Sequence, residues 1–261
     1  MQHKTDEKSL HSTLFSVKSA FKTLAFNLSS PKIVARVSCF GSRIISKFHP
    51  LYFYNNQKYR ISDVLKDTRH SIFRTNKRIG YFTDTTLEKI VDSQKYLHLT
   101  NPRLKPNLII LESYSDLTDL MFTTQNGERF LCHISDFKPS LWPQISTNES
   151  TNPLFVNHGL CDLFSYEEDL QQFVTLVKAI NDQVNIFYIN TPIKFEKRKA
   201  IRERADIIQS AAQVIADKST NFYNLIIPDS TVKKFYDGCL PYHFADETVD
   251  FCFDKISSIL P

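Results

Sequence analysis

Ser38 and Cys39 follow an apolar run that ends at Val37, and Gly41 stands two positions further on. Far along the chain His243 lies in the segment Pro241-Tyr-His-Phe-Ala-Asp-Glu247. A hydroxyl and an imidazole are the two groups that acyl transfer requires. The serine attacks the carbonyl carbon, and the neutral ring, which titrates near neutrality, takes its proton once a third group orients it. If a helix opens just after Ser38, its first backbone N–H groups and positive dipole end are placed to hold the oxyanion, and Gly41 permits close approach. A serine in such a turn also serves as an ordinary N-cap. Cys39 as a nucleophile would need a depressed pKa, and a buried structural thiol is the expected state.

Other candidates read as less specific. Glu112, Asp116 and Asp119 follow an apolar run closely, which fits a pair of acid–base carboxylates or, preferably, a cap for the next helix. The histidines at 49, 70, 98, 133 and 158 have no metal-ligand spacing, so no metal site is expected. No glycine-rich phosphate loop is present, which argues against a nucleotide fingerprint.

The elements that must position these groups alternate. Lys32–Val37, Asn107–Leu111, Val184–Ile189 and Phe222–Ile227 read as short buried strands. A helix is expected from Ser42 to Phe48. Leu170, Phe173, Val174 and Val177 mark a second, Ile201, Ala205, Ile208, Ala212 and Ile215 a third, and Val249, Cys252, Phe253 and Ile256 the last. Apolar strands separated by amphipathic helices predict an α/β fold, a three-layer α/β/α sandwich around a mainly parallel sheet. In such sheets ligands gather outside the carboxyl ends of the strands, where the turn at Ser38 and the loop of His243 both belong. Residues 1–30 carry Leu10, Leu14, Val17, Phe21 and Leu24 on one helical stripe, suited to packing on the domain or on a second copy, or to peripheral contact with a membrane. Pro31 bounds this segment, and the α/β domain is expected over 31–261. Insertions are expected near 52–81, with a small hairpin, and near 138–159, as a long surface loop.

Composition narrows the partners. With 42% hydrophobic and 23% charged residues, the 261-residue chain is neither a disordered tail nor a membrane protein. A net charge of +4 is small for this length, and the basic run from Lys194 to Arg204 is interleaved with acids. It reads as a solvated helix face, so nucleic acid is not an expected partner. Five cysteines without a CxxC pair, and without a secretory signal pattern ahead of them, lead to the expectation of a reducing, cytoplasmic setting. The Phe-rich composition is compatible with a homodimer.

A serine directly after the first strand and a histidine just before the last helix resemble the SGNH (GDSL-like) hydrolase superfamily, which has a flavodoxin-like fold. Ser38-Cys-Phe-Gly-Ser-Arg43 resembles the openings of two little-characterised bacterial branches, Gly-Ser-Cys-Phe-Ala and Gly-Ser-Cys-Val-Ser-Arg. Arg69-His-Ser71 resembles an Arg-x-Ser element of the second branch, and Pro241–Glu247 resembles its Pro-Phe-His-Tyr-x-Asp-Glu ending. The resemblance spans residues 32–258. It implies a serine esterase or O-acyltransferase acting on a carbohydrate in surface-polysaccharide biosynthesis, with Ser38 and His243 catalytic and Cys39, Gly41, Arg43, Arg69 and Ser71 nearby. No cofactor is required, and acyl-coenzyme A is compatible as the acyl donor. The chain departs from the superfamily pattern in three places. The aspartate expected three residues before the histidine is Leu240, leaving Asp237, Asp246, Asp229 or a backbone carbonyl to orient the ring. The glycine before the nucleophile is Val37. Glu112-Ser-Tyr-Ser-Asp116 replaces the oxyanion asparagine block, leaving Ser113, Ser115 or Arg69 as donors. The same departures leave a catalytically silent binding or scaffold protein as the alternative.

Overall fold

The computed structural model describes residues 31–55, 61, 106–125, 129–133, 136–146, 154–236 and 241–260. The N-terminal stripe, Arg69, Ser71 and Asp237 lie outside the described residues.

Five strands, β1 (Lys32–Arg36), β2 (Tyr52–Asn55), β3 (Leu108–Glu112), β8 (Asn185–Ile189) and β9 (Phe222–Leu225), form one sheet in the order β2-β1-β3-β8-β9. Every neighbouring pair in it is parallel, so the chain is α/β with a parallel sheet. Such a sheet needs both faces covered, and its strands are accordingly apolar along their length: all five residues of β3 are buried. Successive side chains point to opposite faces. Ile33, Ala35, Leu108, Ile110, Phe187 and Ile189 pack with α1 (Cys39–Ser46) and α5 (Asp246–Ser257). Val34, Ile109, Leu111, Ile186 and Tyr188 pack with α3 (Tyr166–Ile180) and α4 (Lys199–Lys218). Leu170, Phe173, Val174 and Val177 bury the stripe of α3, each contributing about 1.5–3 kcal/mol. The acids of its first turn, Glu167, Glu168 and Asp169, complement the helix dipole.

The chain leaves β1 towards β2 on one side and returns to β3 on the other. Adjacent strands whose connections diverge leave a crevice at their carboxyl ends, and here that crevice lies between β1 and β3.

All four strands expected from the sequence are present; β1 and β9 end one and two residues earlier than expected, β3 ends one residue later and β8 ends at Ile189 as expected. Tyr52–Asn55, at the start of the expected insertion, forms strand β2, parallel to β1 from Lys32↔Tyr52 to Ala35↔Asn55; the hairpin expected within 52–81 falls largely outside the described residues. One expectation is corrected. Residues 138–159 are not simply a surface loop. A 3₁₀ turn (Pro139–Gln144), β6 (Ile145–Ser146) and β7 (Phe155–Leu160) lie there, and β6 and β7 join β4 (Leu120–Thr124) and β5 (Arg129–Cys132) in a second sheet of order β5-β4-β7-β6. Four phenylalanines, Phe122, Phe130, Phe137 and Phe155, fill its own small core. No helix among the described residues is long and apolar enough to cross a membrane.

Candidate active site

β1 delivers Ser38 to the crevice on a fixed backbone. Val37 N–H donates to Asn55 Oδ1 (3.1 Å), and Asn55 Nδ2 donates to the Val37 carbonyl (2.8 Å), so the side chain at the end of β2 continues the ladder. Ser38 then turns the chain as the N-cap of α1, at φ −78° and ψ −170°, and its Oγ accepts from Phe40 N–H (3.2 Å). The helix starts at Cys39, three residues earlier than the sequence pattern predicts, because the hydroxyl caps it there.

Glu112 shapes the site. It ends β3 on the face that carries α1, and its carboxylate reaches the opening of that helix. It accepts from Ser38 N–H (2.7 Å), from Ser38 Oγ (2.8 Å to Oε1 and 2.9 Å to Oε2), from Gly41 N–H (3.2 Å) and from Thr191 Oγ1 (3.3 Å). Burial raises its pKa above the ordinary glutamate value, and the donors at Ser38, Gly41 and Thr191 pull the other way. The N–H groups that would receive an oxyanion therefore hold a carboxylate of the protein itself. Gly41 makes this possible: a Cβ there would lie 2.5 Å from Val37 Cβ and 2.8 Å from Glu112 Oε2. Ser113 continues the knot, its Oγ accepting from Thr191 N–H (2.9 Å) and its N–H donating to the Ile189 carbonyl (3.1 Å). The ends of β1, β3 and β8 are thus joined through side chains.

The loop of residues 241–245 lies against the same edge. Phe244 packs edge-on against Phe40 with centroids 4.9 Å apart, and Arg43 Nη1 donates to the Phe244 carbonyl (2.6 Å). On its other side Tyr242 meets Tyr114, the first residue of α2 (Tyr114–Thr118), edge-on at 5.1 Å. The Tyr242 hydroxyl also donates to Glu196, whose carboxylate receives Arg198 through N–H, Nε and Nη2 at 2.8, 2.9 and 2.8 Å. Chiefly through Arg198, these donors hold the Glu196 pKa down at about 2.

The expected site residues meet different fates. Ser38, 7% exposed, and Gly41 are both buried where β1 meets the opening of α1. Cys39 is exposed at the start of α1, which corrects the expectation of a buried thiol. His243 is exposed, and its carbonyl accepts from Phe235 N–H (2.9 Å). Glu112, rather than His243, receives the Ser38 hydroxyl. Asp246, at the first position of α5, pairs with Arg43. Ser113 is engaged with Thr191, and Ser115 is buried within α2. Asp116 neither caps α2 nor pairs with Glu112 as an acid–base partner. It forms a two-pronged buried ion pair with Arg36 (2.6 and 2.7 Å) and accepts from the Tyr166 hydroxyl (2.7 Å), which in turn bonds Tyr188 (2.6 Å). The roles of Glu112, Thr191 and the Glu196–Arg198–Tyr242 cluster escape the sequence reading. The available signal is a charged residue terminating the apolar run Leu108-Ile-Ile-Leu111, at the point where β1 ends in Val37-Ser38. Among the described residues no group of His, Cys, Asp and Glu is arranged to hold a metal.

No family model matches the chain, and no curated protein matches it.

Proposed function

We propose that the chain is an SGNH-like serine esterase or O-acyltransferase acting on a carbohydrate, with its site in the crevice between β1 and β3. The fold proposed with it is a three-layer, flavodoxin-like sandwich. The strand order, with the switch point beside β1, and the apolar cores on both faces of the sheet support this.

The observation that carries the reading is the Ser38 hydroxyl donating to a buried carboxylate at that switch point. Ser38 attacks the acyl carbon and its proton passes to Glu112, whose raised pKa makes it a stronger base than an exposed glutamate. Once protonated, Glu112 is a weaker acceptor, and the N–H groups of Ser38 and Gly41 turn to the oxyanion. Its collapse breaks the bond from the acyl carbon to the leaving alcohol or thiol, which takes the proton from Glu112 and leaves the acyl group on Ser38. His243, carried by the loop pinned between Phe40 and Tyr114, serves the second half-reaction by activating the acceptor hydroxyl.

A second reading is favoured by the same carboxylate. Because Glu112 fills the anion pocket, the crevice also suits a catalytically silent protein that holds a glycan within a polysaccharide assembly system. A fluorophosphonate probe separates the two. Covalent labelling of the wild-type chain that disappears in Ser38→Ala supports the enzyme. A folded wild-type chain that resists the probe supports the binding protein.

A further inference from the structure

Beside the 241–245 loop, the backbone from Lys233 to Tyr236 is pinned. Phe235 N–H donates to the His243 carbonyl (2.9 Å) and Ala245 N–H to the Lys233 carbonyl (3.0 Å). From this ordered backbone Phe235 and Tyr236 project into solvent, 57% and 59% exposed, with ring centroids 5.8 Å apart. The rings are inclined at 64° to each other, so each presents its own exposed apolar surface to a ligand.

Two ammonium groups, one of them on Lys234 directly before Phe235, approach the Phe195 ring. Lys194 Nζ lies 5.4 Å and Lys234 Nζ 5.0 Å from the centroid of the Phe195 ring. Lys194 is fixed there by the carbonyls of Asp229 (2.7 Å) and Val232 (3.0 Å). The neighbouring cations are matched: Arg43 pairs with Asp246, Lys233 with Glu247 and Arg198 with Glu196. Among the described residues neither Lys194 nor Lys234 pairs with a carboxylate. Cations without a carboxylate partner leave positive charge available to an anionic ligand.

We propose that this patch binds an anionic saccharide, with an exposed ring of Phe235 or Tyr236 against the apolar C–H face of a sugar unit and Lys194 and Lys234 supplying positive charge to its carboxylates. The Arg43 guanidinium, 5.5 Å from the Phe235 ring, belongs to the same helix face as the exposed Cys39, one turn away, which places the patch beside the start of the helix that Ser38 caps. The saccharide class rests on the acyl-transfer reading. The requirement for negative charge comes from the patch alone.

Calorimetric titration of the full chain with trigalacturonate and with maltotriose tests this. Trigalacturonate is expected to bind at least about tenfold more tightly, and Lys194→Gln/Lys234→Gln to remove about tenfold of that affinity while leaving maltotriose unchanged. Phe235→Ala/Tyr236→Ala weakens both sugars. Since Lys194 also holds two carbonyls, Lys234→Gln alone and a salt series are read beside the double variant; added salt should weaken trigalacturonate selectively. Equal affinity for the two sugars overturns the inference. So does a Lys234→Gln chain with an unchanged thermal midpoint that binds trigalacturonate as tightly as wild type. Fluorophosphonate labelling of Ser38 without preference for the acidic sugar overturns this inference and leaves acyl transfer standing. Selective trigalacturonate binding without labelling supports the patch and removes the enzyme.

Discussion

Glu112 combines two roles in one carboxylate: it anchors the opening of α1 and it receives the hydroxyl of Ser38. Glu112→Gln keeps the shape and removes the basicity. The probe-labelling rate is expected to fall about 10²–10⁴-fold, the usual range for loss of a general base. Glu112→Ala leaves several buried donors without an acceptor and should cost about 1–3 kcal/mol or more in urea unfolding. The pH dependence follows from the raised pKa. The reactive form is the carboxylate, so labelling should rise with pH through a midpoint above the ordinary glutamate value of 4.5 and be lost below it. A rate indifferent to pH across that range would remove Glu112 from the chemistry. Gly41 is tested separately. In Gly41→Ala the new Cβ meets Val37 Cβ and Glu112 Oε2, and overpacking of this kind costs about 1–3 kcal/mol, read as a lower thermal midpoint.

At the scale of elements, the ends of three strands are tied by polar groups on both faces of the sheet. On the face opposite Glu112, Arg36 of β1 and Asp116 of α2 form an ion pair with side chains 4% and 0% exposed, and Tyr166 of α3 and Tyr188 of β8 extend it. Arg36→Met alone leaves a buried carboxylate uncompensated and is expected to cost about 3–5 kcal/mol in urea unfolding, whereas Arg36→Met/Asp116→Leu should cost less than the single change. β1, β3, β8 and β9 are legible in the sequence because a strand buried on both faces needs an unbroken apolar run. β2 and β7 are not. β2 is four residues, Tyr52-Phe-Tyr-Asn55, at an edge, and β7 passes through Asn157-His-Gly159, where Gly159 adopts φ +78°. In the same way the position of Ser38 at a strand end is legible from local pattern, but its bond to Glu112 is not. That contact joins residues 74 apart and depends on the register Arg36↔Leu111.

Across the whole molecule, the loop that carries His243 is clamped by Arg43 and Phe40 on one side and by Tyr114 and Glu196 on the other. The clamp is sensitive to acid. Glu196 has a folded pKa of about 2, below its unfolded value, so its stabilising contribution is present above about pH 4.5 and is lost as pH falls towards 2. Thermal midpoints of wild type and Glu196→Gln should therefore differ at neutral pH and converge in that acid window; a constant gap would show that the Arg198 and Tyr242 contacts do not stabilise the loop. The most direct measurement is peptide mass spectrometry of the wild-type chain after exposure to p-nitrophenyl acetate. An acetyl group on Ser38, absent in Glu112→Gln, is the predicted result. Acetyl on the exposed thiol of Cys39 alone, or no adduct in the 38–43 segment, would contradict it.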